Sequence, residues 1–311
     1  MKAIILAAGF GTRLLPLTKY RHKALFPIVN KTVIDIIINN LQVAGITSLG
    51  LNLHYLAPQI KDYLDKNYVN FDLEYRHEKI IMDTGGGLAQ FVDFVGKDNF
   101  FIAHTCDVLT TINLKDAINY HKKNNPLLTL VLVDLPGKNN IAVDKNNNVI
   151  GIYKKTGARP EMKIRMLYGS GIFIYSSRIF NYLPNTGKPY PVLPAIIKAV
   201  QNSPGSVKAY VPPKPYYWRD IGDVSSYLDA HRDILKNNLV LFKGIEKGKD
   251  GIWISPNAEV SPDANFKGFV SICENAIINN GAMLENCVVW ENAEIKENII
   301  YKDKVIPSTV D

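Results

Sequence analysis

Two glycines, a hydroxyl and a cation stand together at Gly9-Phe10-Gly11-Thr12-Arg13, and a second cation, Lys23, follows in the same segment. Glycine has no Cβ, so such a loop lets backbone N–H groups approach a phosphate closely. Arg13 and Lys23 add positive charge to the same anion. The segment is not a Walker A loop, because no Gly-Lys-Ser or Gly-Lys-Thr occurs, and Leu14 stands where a dinucleotide fingerprint has its third glycine. An ordinary strand-to-loop turn with two surface cations fits the same residues. A second stretch, Thr84-Gly85-Gly86-Gly87, reads as a flexible lead into a helix or as backbone that lies flat against a base or ribose. Asp107 follows an apolar run and reads as a turn or cap residue, or as a carboxylate on the ligand edge of a sheet. No convincing Ser-His-Asp or Cys-His set is present.

Short apolar runs must position these residues. Ala3 to Ala7 predicts a buried strand that opens directly into the glycine loop. Val33–Val43 has helical spacing with Gly45 as its stop, Ser48–Leu53 reads as a strand, Pro58–Tyr68 as an amphipathic helix and Phe71–Tyr75 as a strand. Strand, helix, strand, helix, strand predicts parallel pairing with right-handed crossovers. The ligand edge of such a sheet lies beyond the C-terminal ends of its strands, where the first loop falls. Phe100–His104 and Leu127–Val133 are further buried strands, and Leu114–Lys122 is a helix. An asparagine-rich turn between Ile141 and Lys155 predicts a hairpin. Tyr168–Tyr175 and Ser206–Val211 read as strands, and Pro191–Val200 and Val224–Leu235 as helices.

Beyond Gly251 the period changes. Ile254, Val260, Phe266, Ile272, Ile278 and Leu284 recur every six residues, with Ala258, Ala264, Ala276 and Ala282 between them; the register then slips to Val289 and Ile295. Hexapeptides of this kind build the faces of a left-handed parallel β-helix. Its rungs have open edges, so pairing with another chain, and hence a homo-oligomer, is expected.

The chain has 311 residues, 47% of them apolar, and a net charge of +7. The lysines are scattered rather than striped, which argues against nucleic acid and leaves anionic small substrates. No apolar run is long enough to span a membrane. The N-terminus begins directly with a strand and without a leader, and Cys106, Cys273 and Cys287 have neither metal nor disulfide spacing, so a cytoplasmic protein is expected.

The order Leu-Ala-Ala-Gly-Phe-Gly-Thr-Arg-Leu, followed by Pro16, Thr18, Lys23, Leu25 and Pro27, resembles the signature of the sugar-phosphate nucleotidyltransferases. Thr84-Gly85-Gly86, Asp107 and Trp218-Arg219-Asp220-Ile221-Gly222 resemble further elements of that family, and the catalytic domain with its short tail looks most like mannose-1-phosphate guanylyltransferases. The resemblance implies a mostly parallel α/β catalytic domain at 1–238 and a β-helix tail at 239–311. It implies transfer of a nucleotidyl group from an NTP to a sugar 1-phosphate, GTP with mannose or heptose 1-phosphate first, dTTP or UTP with glucose 1-phosphate second. A non-catalytic nucleotide-sugar sensor is the reading from another class. The implied nucleotide contacts are Leu6, Ala7, Ala8, Gly9, Gly11, Thr12, Arg13, Thr84, Gly85 and Gly86. Arg13 would hold the departing pyrophosphate and Lys23 the reacting phosphate; Lys155 and Gly171 would serve the sugar phosphate, and Asp107 and Asp220 would bind Mg²⁺. Five positions depart from the family pattern. His22 and Ala24 replace prolines that stiffen the Lys23 loop, Cys106 replaces a glycine, Lys154 a glutamate and Thr156 a proline.

Overall fold

The computed structural model describes residues 1–153, 164–183, 186–242 and 244–308. The chain divides into two compact units. The first comprises Met1–Gly9, Asn40–Val108 and Ile112–Trp218, the second Phe10–Asn39, Leu109–Thr111 and Arg219 onward.

The first unit is built on a nine-stranded sheet: β1 (Ala3–Leu6), β2 (Ser48–Leu53), β3 (Asp72–His77), β4 (Phe100–Thr105), β5 (Leu128–Val133), β6 (Ile141–Val143), β7 (Val149–Ile152), β8 (Arg165–Ser176) and β9 (Val207–Tyr210). Strands β1, β4 and β5 are almost wholly buried, which is why they read as unbroken apolar runs. The order is β7-β6-β8-β4-β1-β2-β3, with β5 pairing β8 and β9. β1 pairs β2 and β4 in parallel, and β2 pairs β3 in parallel. The chain thus moves outward from β1 to β2 and β3, then returns to place β4 on the other flank of β1. That reversal is a topological switch point, where open α/β sheets bind ligands at their C-terminal edge.

β8 departs from the expected parallel pattern. It spans twelve residues and runs antiparallel to β4, β5 and β6. The register against β5 shifts between Gly169 and Phe173, and Gly171 there has φ +80°, the left-handed region that favours glycine. The hairpin expected from Ile141 is β6–β7, paired antiparallel. Asp144 closes its turn by accepting from the Asn146 and Asn148 N–H groups at 2.8 Å.

In the second unit the helix Val224–Leu235 and the Phe10–Asn39 segment group with the C-terminal strands. Those strands form parallel ladders. Ile254 lies opposite Ile272 and Ile272 opposite Val289, while Val260, Ile278 and Ile295 stack on another face. The slip after Leu284 is therefore a coil one residue shorter, a shortening that the next coil keeps, with Leu284 opposite Tyr301 and Val289 opposite Ile306, and the apolar column continues through it. Ile272, Ile278, Leu284, Val289 and Ile295 are buried in one core with Ala276, Ala282 and Ala293. Ile254, in the first rung, is 38% exposed instead. The corners use residues that tolerate positive φ: Gly251, Gly268, Asn286 and Asp303 succeed one another at one corner, Asn275 and Asn292 at a second, Gly281 and Asn298 at a third. Asn286 Nδ2 donates to Asp303 Oδ1 at 2.8 Å and Asn275 Nδ2 to Asn292 Oδ1 at 3.3 Å, so the corners are also cross-linked.

Candidate functional site

In the first unit the switch point brings two candidate segments side by side. Leu6 ends β1, and its carbonyl accepts from the Cys106 N–H at 3.2 Å just past the end of β4. Ala7 and Ala8 are buried and Gly9 is exposed, so the chain emerges from the sheet at Gly9. Asp107 sits half-buried in the tight turn after β4. Cys106 is wholly buried and serves as a small packing residue. His104, also wholly buried, donates from Nδ1 to the Thr105 carbonyl at 2.6 Å. Burial lowers its pKa to about 4, although the Thr105 carbonyl and Asp107 oppose the shift. Among the described residues His104 Nε2 and Thr105 Oγ1 have no hydrogen-bond partner. Gly171 lies against this strand end, since a Cβ there would stand 2.5 Å from Thr105 Oγ1.

The second glycine stretch is not flexible. Asp83–Ala89 is helical, and Gly85, Gly86 and Gly87 are all buried. The Gly85 and Gly86 amides both donate to the Tyr190 carbonyl, at 2.9 and 3.1 Å. A Cβ on Gly85 would meet the Tyr190 ring at 2.5 Å, so absence of a side chain here serves close packing. Thr84 is the exposed member of the group. Its Oγ1 accepts from the Val192 N–H at 3.0 Å, and its own N–H donates to Asp83 Oδ1 at 2.6 Å.

In the second unit, Gly11 has φ +63° and opens a 3₁₀ turn, Thr12–Leu14, in which Leu14 is buried and Thr12 and Arg13 are exposed. A Cβ on Gly11 would lie 2.9 Å from Thr18 Cγ2 and 3.6 Å from Lys23 Cδ, so the glycine lets the Lys23 stem pass close to the loop. Arg13 and Asp220 converge on Gly222. A Cβ at that position would collide with the Arg13 guanidinium and lie 2.7 Å from Asp220 Oδ1, which already accepts from the Gly222 N–H at 2.6 Å. Arg219, next to Asp220, is fixed on the helix Val224–Leu235 by Asp229 at 3.2 Å and Asp233 at 2.7 Å.

The lost prolines around Lys23 have a structural replacement. His22 is buried with φ −65° and ψ 137°, angles a proline would also adopt, and its Nδ1 accepts from the Ala24 N–H at 3.1 Å. The imidazole thereby caps the 3₁₀ turn Lys23–Leu25. Downstream, Tyr227 donates its hydroxyl to the Pro27 carbonyl at 2.5 Å and accepts from Trp290 Nε1 at 3.2 Å. Phe26 packs edge-on against both rings. Arg21 stacks 4.7 Å over Trp290 and pairs with Glu291 at 2.7 Å. Val29 has φ +59°, strained for a β-branched residue, and its N–H donates to His231 Nε2 at 3.3 Å. His231 Nδ1 then carries the proton and donates to the Tyr227 carbonyl.

Lys155, with Lys154 and Thr156, lies outside the described residues. Among the described residues no group of three or more His, Cys, Asp and Glu side chains is placed to hold a metal. Asp107 and Asp220 are oxygen donors, half-buried, and this suits Mg²⁺, which takes one or two carboxylates and completes its shell with water and phosphate. Sequence reasoning missed three supports: Asn52, which donates to Glu78 behind the first loop and shows in sequence only as a polar residue in an apolar run, the cap made by His22, and the clamp on Arg219.

The family model described as Nucleotidyl transferase matches residues 2–237, and the chain belongs to that family. Among curated proteins it is 25% identical over 281 residues to a UTP–glucose-1-phosphate uridylyltransferase of Synechocystis sp., covering 85% of this chain and 71% of the relative. It is 26% identical to the mannose-1-phosphate guanylyltransferase catalytic subunit beta of Dictyostelium discoideum, covering 74% and 63%. To a mannose-1-phosphate guanylyltransferase of Mycobacterium tuberculosis it is 24% identical, covering 82% and 72%. The crystal structure of HddC from Yersinia pseudotuberculosis complexed with GMP-PN superposes with a TM-score of 0.60 at 24% identity, over 74% of this chain and 97% of that one, a likeness of fold. No helix among the described residues is long and apolar enough to cross a membrane.

Proposed function

We propose that this protein joins the nucleotidyl group of an NTP to a sugar 1-phosphate, giving a nucleotide-sugar and pyrophosphate. An oxygen of the sugar phosphate attacks the α-phosphorus in line, that P–O bond forms, and the bond to the β-phosphate oxygen breaks. Such a transfer needs alignment and charge neutralisation rather than a protein nucleophile. The observation that carries the reading is the convergence of Arg13 and Asp220, distant in sequence, around Gly222. Arg13 neutralises the departing pyrophosphate, Lys23 the phosphate at the reacting centre and Lys155 the sugar phosphate. Leu6–Gly9, Gly11, Thr12 and Thr84–Gly86 line the nucleotide, and Gly171 borders the sugar. Asp107 and Asp220 would each offer a carboxylate to Mg²⁺, which when bound would supply further charge neutralisation on phosphate oxygens.

The names of two relatives favour GTP with mannose 1-phosphate, and a heptose 1-phosphate is kept beside it; the Synechocystis relative supports UTP with glucose 1-phosphate as the second reading. The proposal includes a catalytic domain at 1–238, a left-handed β-helix at 239–311 and a cytoplasmic homo-oligomer that pairs through the tail. The parallel ladders and glycine- or asparagine-turned corners support the β-helix. Pyrophosphate release measured across GTP, UTP, dTTP, ATP and CTP with mannose, heptose and glucose 1-phosphates tests the reading. The largest kcat/KM is expected for GTP with mannose 1-phosphate. A maximum with UTP or dTTP and glucose 1-phosphate replaces the substrates, and nucleotide-sugar binding without turnover for any pair replaces the enzyme by a sensor.

A further inference from the structure

A continuous buried polar relay runs behind the two nucleotide segments of the first unit. The Ala7 N–H donates to Asn52 Oδ1 at 2.8 Å. Asn52 Nδ2 donates to Glu78 Oε1 at 2.8 Å, and Glu78 Oε2 accepts from the Met82 N–H at 2.8 Å. Gln90 Nε2 adds a longer bond to Glu78 Oε1, at 3.4 Å. Asn52 and Glu78 are 4% and 2% exposed. Ala7 belongs to the segment that leaves β1, and Met82 immediately precedes the helix that carries Thr84 to Gly86. The relay therefore ties one segment to the other through two side chains and no intervening backbone.

Three features mark this as more than ordinary packing. Burying a carboxyl group away from water is costly unless its oxygens are satisfied, and an apolar pair of similar volume would avoid that cost. Among the described residues no cation pairs with Glu78; amide donors alone serve it. The helix is also shaped around the relay, because a Cβ on Gly87 would lie 2.8 Å from Asn52 Nδ2 and 3.0 Å from Glu78 Oε1. That clearance accounts for the third glycine of the triplet. Finally, the pairing has a direction. Asn52 must accept from Ala7 and donate to Glu78, so its amide has a single orientation, and the spacing of the two backbone segments is fixed with it.

We infer that Asn52 and Glu78 are positioning residues that hold Ala7 and Met82, and with them the loops flanking them, at the separation a bound nucleotide requires. The inference rests on the proposed function for the identity of the ligand. The relay acts on nucleotide binding as a whole: it touches backbone, so it does not select the base.

The test is a swap of the two groups. Glu78→Gln places an amide N–H₂ against a donor, and Asn52→Asp places two carboxylates face to face, so either change alone breaks the relay. In the double variant Asn52→Asp/Glu78→Gln the new carboxylate accepts from Ala7 and from the new amide, whose oxygen accepts from Met82. Binding of N-methylanthraniloyl-labelled GTP, UTP and ATP is measured by fluorescence titration, which needs no turnover, with thermal melting alongside. Each single variant is expected to weaken all three nucleotides by about tenfold or more, in keeping with a broken bond to a charged group. The double variant is expected to return to within about threefold of the parent, and the KM for sugar 1-phosphate stays unchanged throughout. Parental nucleotide affinity in the single variants, failure of the double variant to recover while it melts like the parent, or a change in base preference would each overturn the inference. A parent that binds none of the labelled nucleotides removes the ligand itself and so overturns both readings. A parent that binds them but releases no pyrophosphate with any sugar phosphate leaves the relay standing and removes the transferase reading.

Discussion

The two units carry their candidate site residues by different means. In the first, the segments leave a buried sheet at its switch point, and what faces outward is mostly backbone and small side chains, set by strand register and by Asn52 and Glu78. In the second, Arg13, Lys23 and Asp220 are charged side chains on short 3₁₀ turns and a three-residue strand, elements too short to hold themselves. Their rigidity is borrowed from Trp290, Tyr227, His231 and Arg219, that is, from the C-terminal coils and one helix. A backbone site can be built on a sheet edge. A cationic site needs a buttress, and here the tail supplies part of it.

That difference can be broken where it is deepest. Trp290 is fully buried beneath Arg21 and beside Phe26 and Tyr227, so Trp290→Ala should cost about 3–5 kcal/mol of stability. Hydrogen exchange should show the loss in residues 10–39 and the coils while β1, β4 and β5 keep their protection. Equal loss in both regions would contradict the division.

Acid should weigh more on the first unit. Burial lowers the pKa of His104 and His121 in the first unit and of His231 in the second to about 4, from 6.5. Each is neutral when folded and takes up a proton first when unfolded, so stability falls as pH drops from about 6.5 toward 4 and levels off below that. The limit is on the order of 3 kcal/mol per histidine. Urea midpoints measured across this range check the slope, and a flat profile would contradict it.

Two smaller changes sharpen the account of the second unit. Gly222→Ala pushes a methyl group onto Arg13 and Asp220, so kcat/KM should fall by about 100-fold with little change in melting temperature. His22→Ala removes the cap on the Lys23 turn and should cost about 1 kcal/mol, whereas His22→Pro, which suits the observed angles, should retain stability. Equal losses for the two His22 variants would show that the imidazole does more than fix the turn.

Legibility in the sequence followed the same division. The strands at Ala3, Phe100 and Leu128 were readable because burial on both faces removes polar residues from them. The tail was readable because each coil repeats the same inward positions, and its slip marked the shorter coils that follow. The antiparallel course of β8 was not, since its partners are remote in sequence and no hairpin turn announces them. Asn52 was a single polar residue in an apolar strand, and His22 looked like a weakened loop until its Nδ1 was placed on the Ala24 amide. That the Gly85 and Gly86 amides are committed to the Tyr190 carbonyl had no local signal, because Tyr190 is remote in sequence. The corner residues Gly251, Gly268, Asn286 and Asp303 recur once per coil and are a second signal of the same repeat.

In the proposed reaction, nucleotidyl transfer to a sugar 1-phosphate depends on Arg13 and Asp220. The most direct measurement is Mg²⁺-dependent pyrophosphate release with GTP and mannose 1-phosphate, compared between the parent, Arg13→Ala and Asp220→Asn at matched folding. Turnover is expected in the parent, with nucleotide-sugar and pyrophosphate formed in equal amounts, and a loss of about 100-fold or more in each variant. Parental turnover in both variants would contradict it.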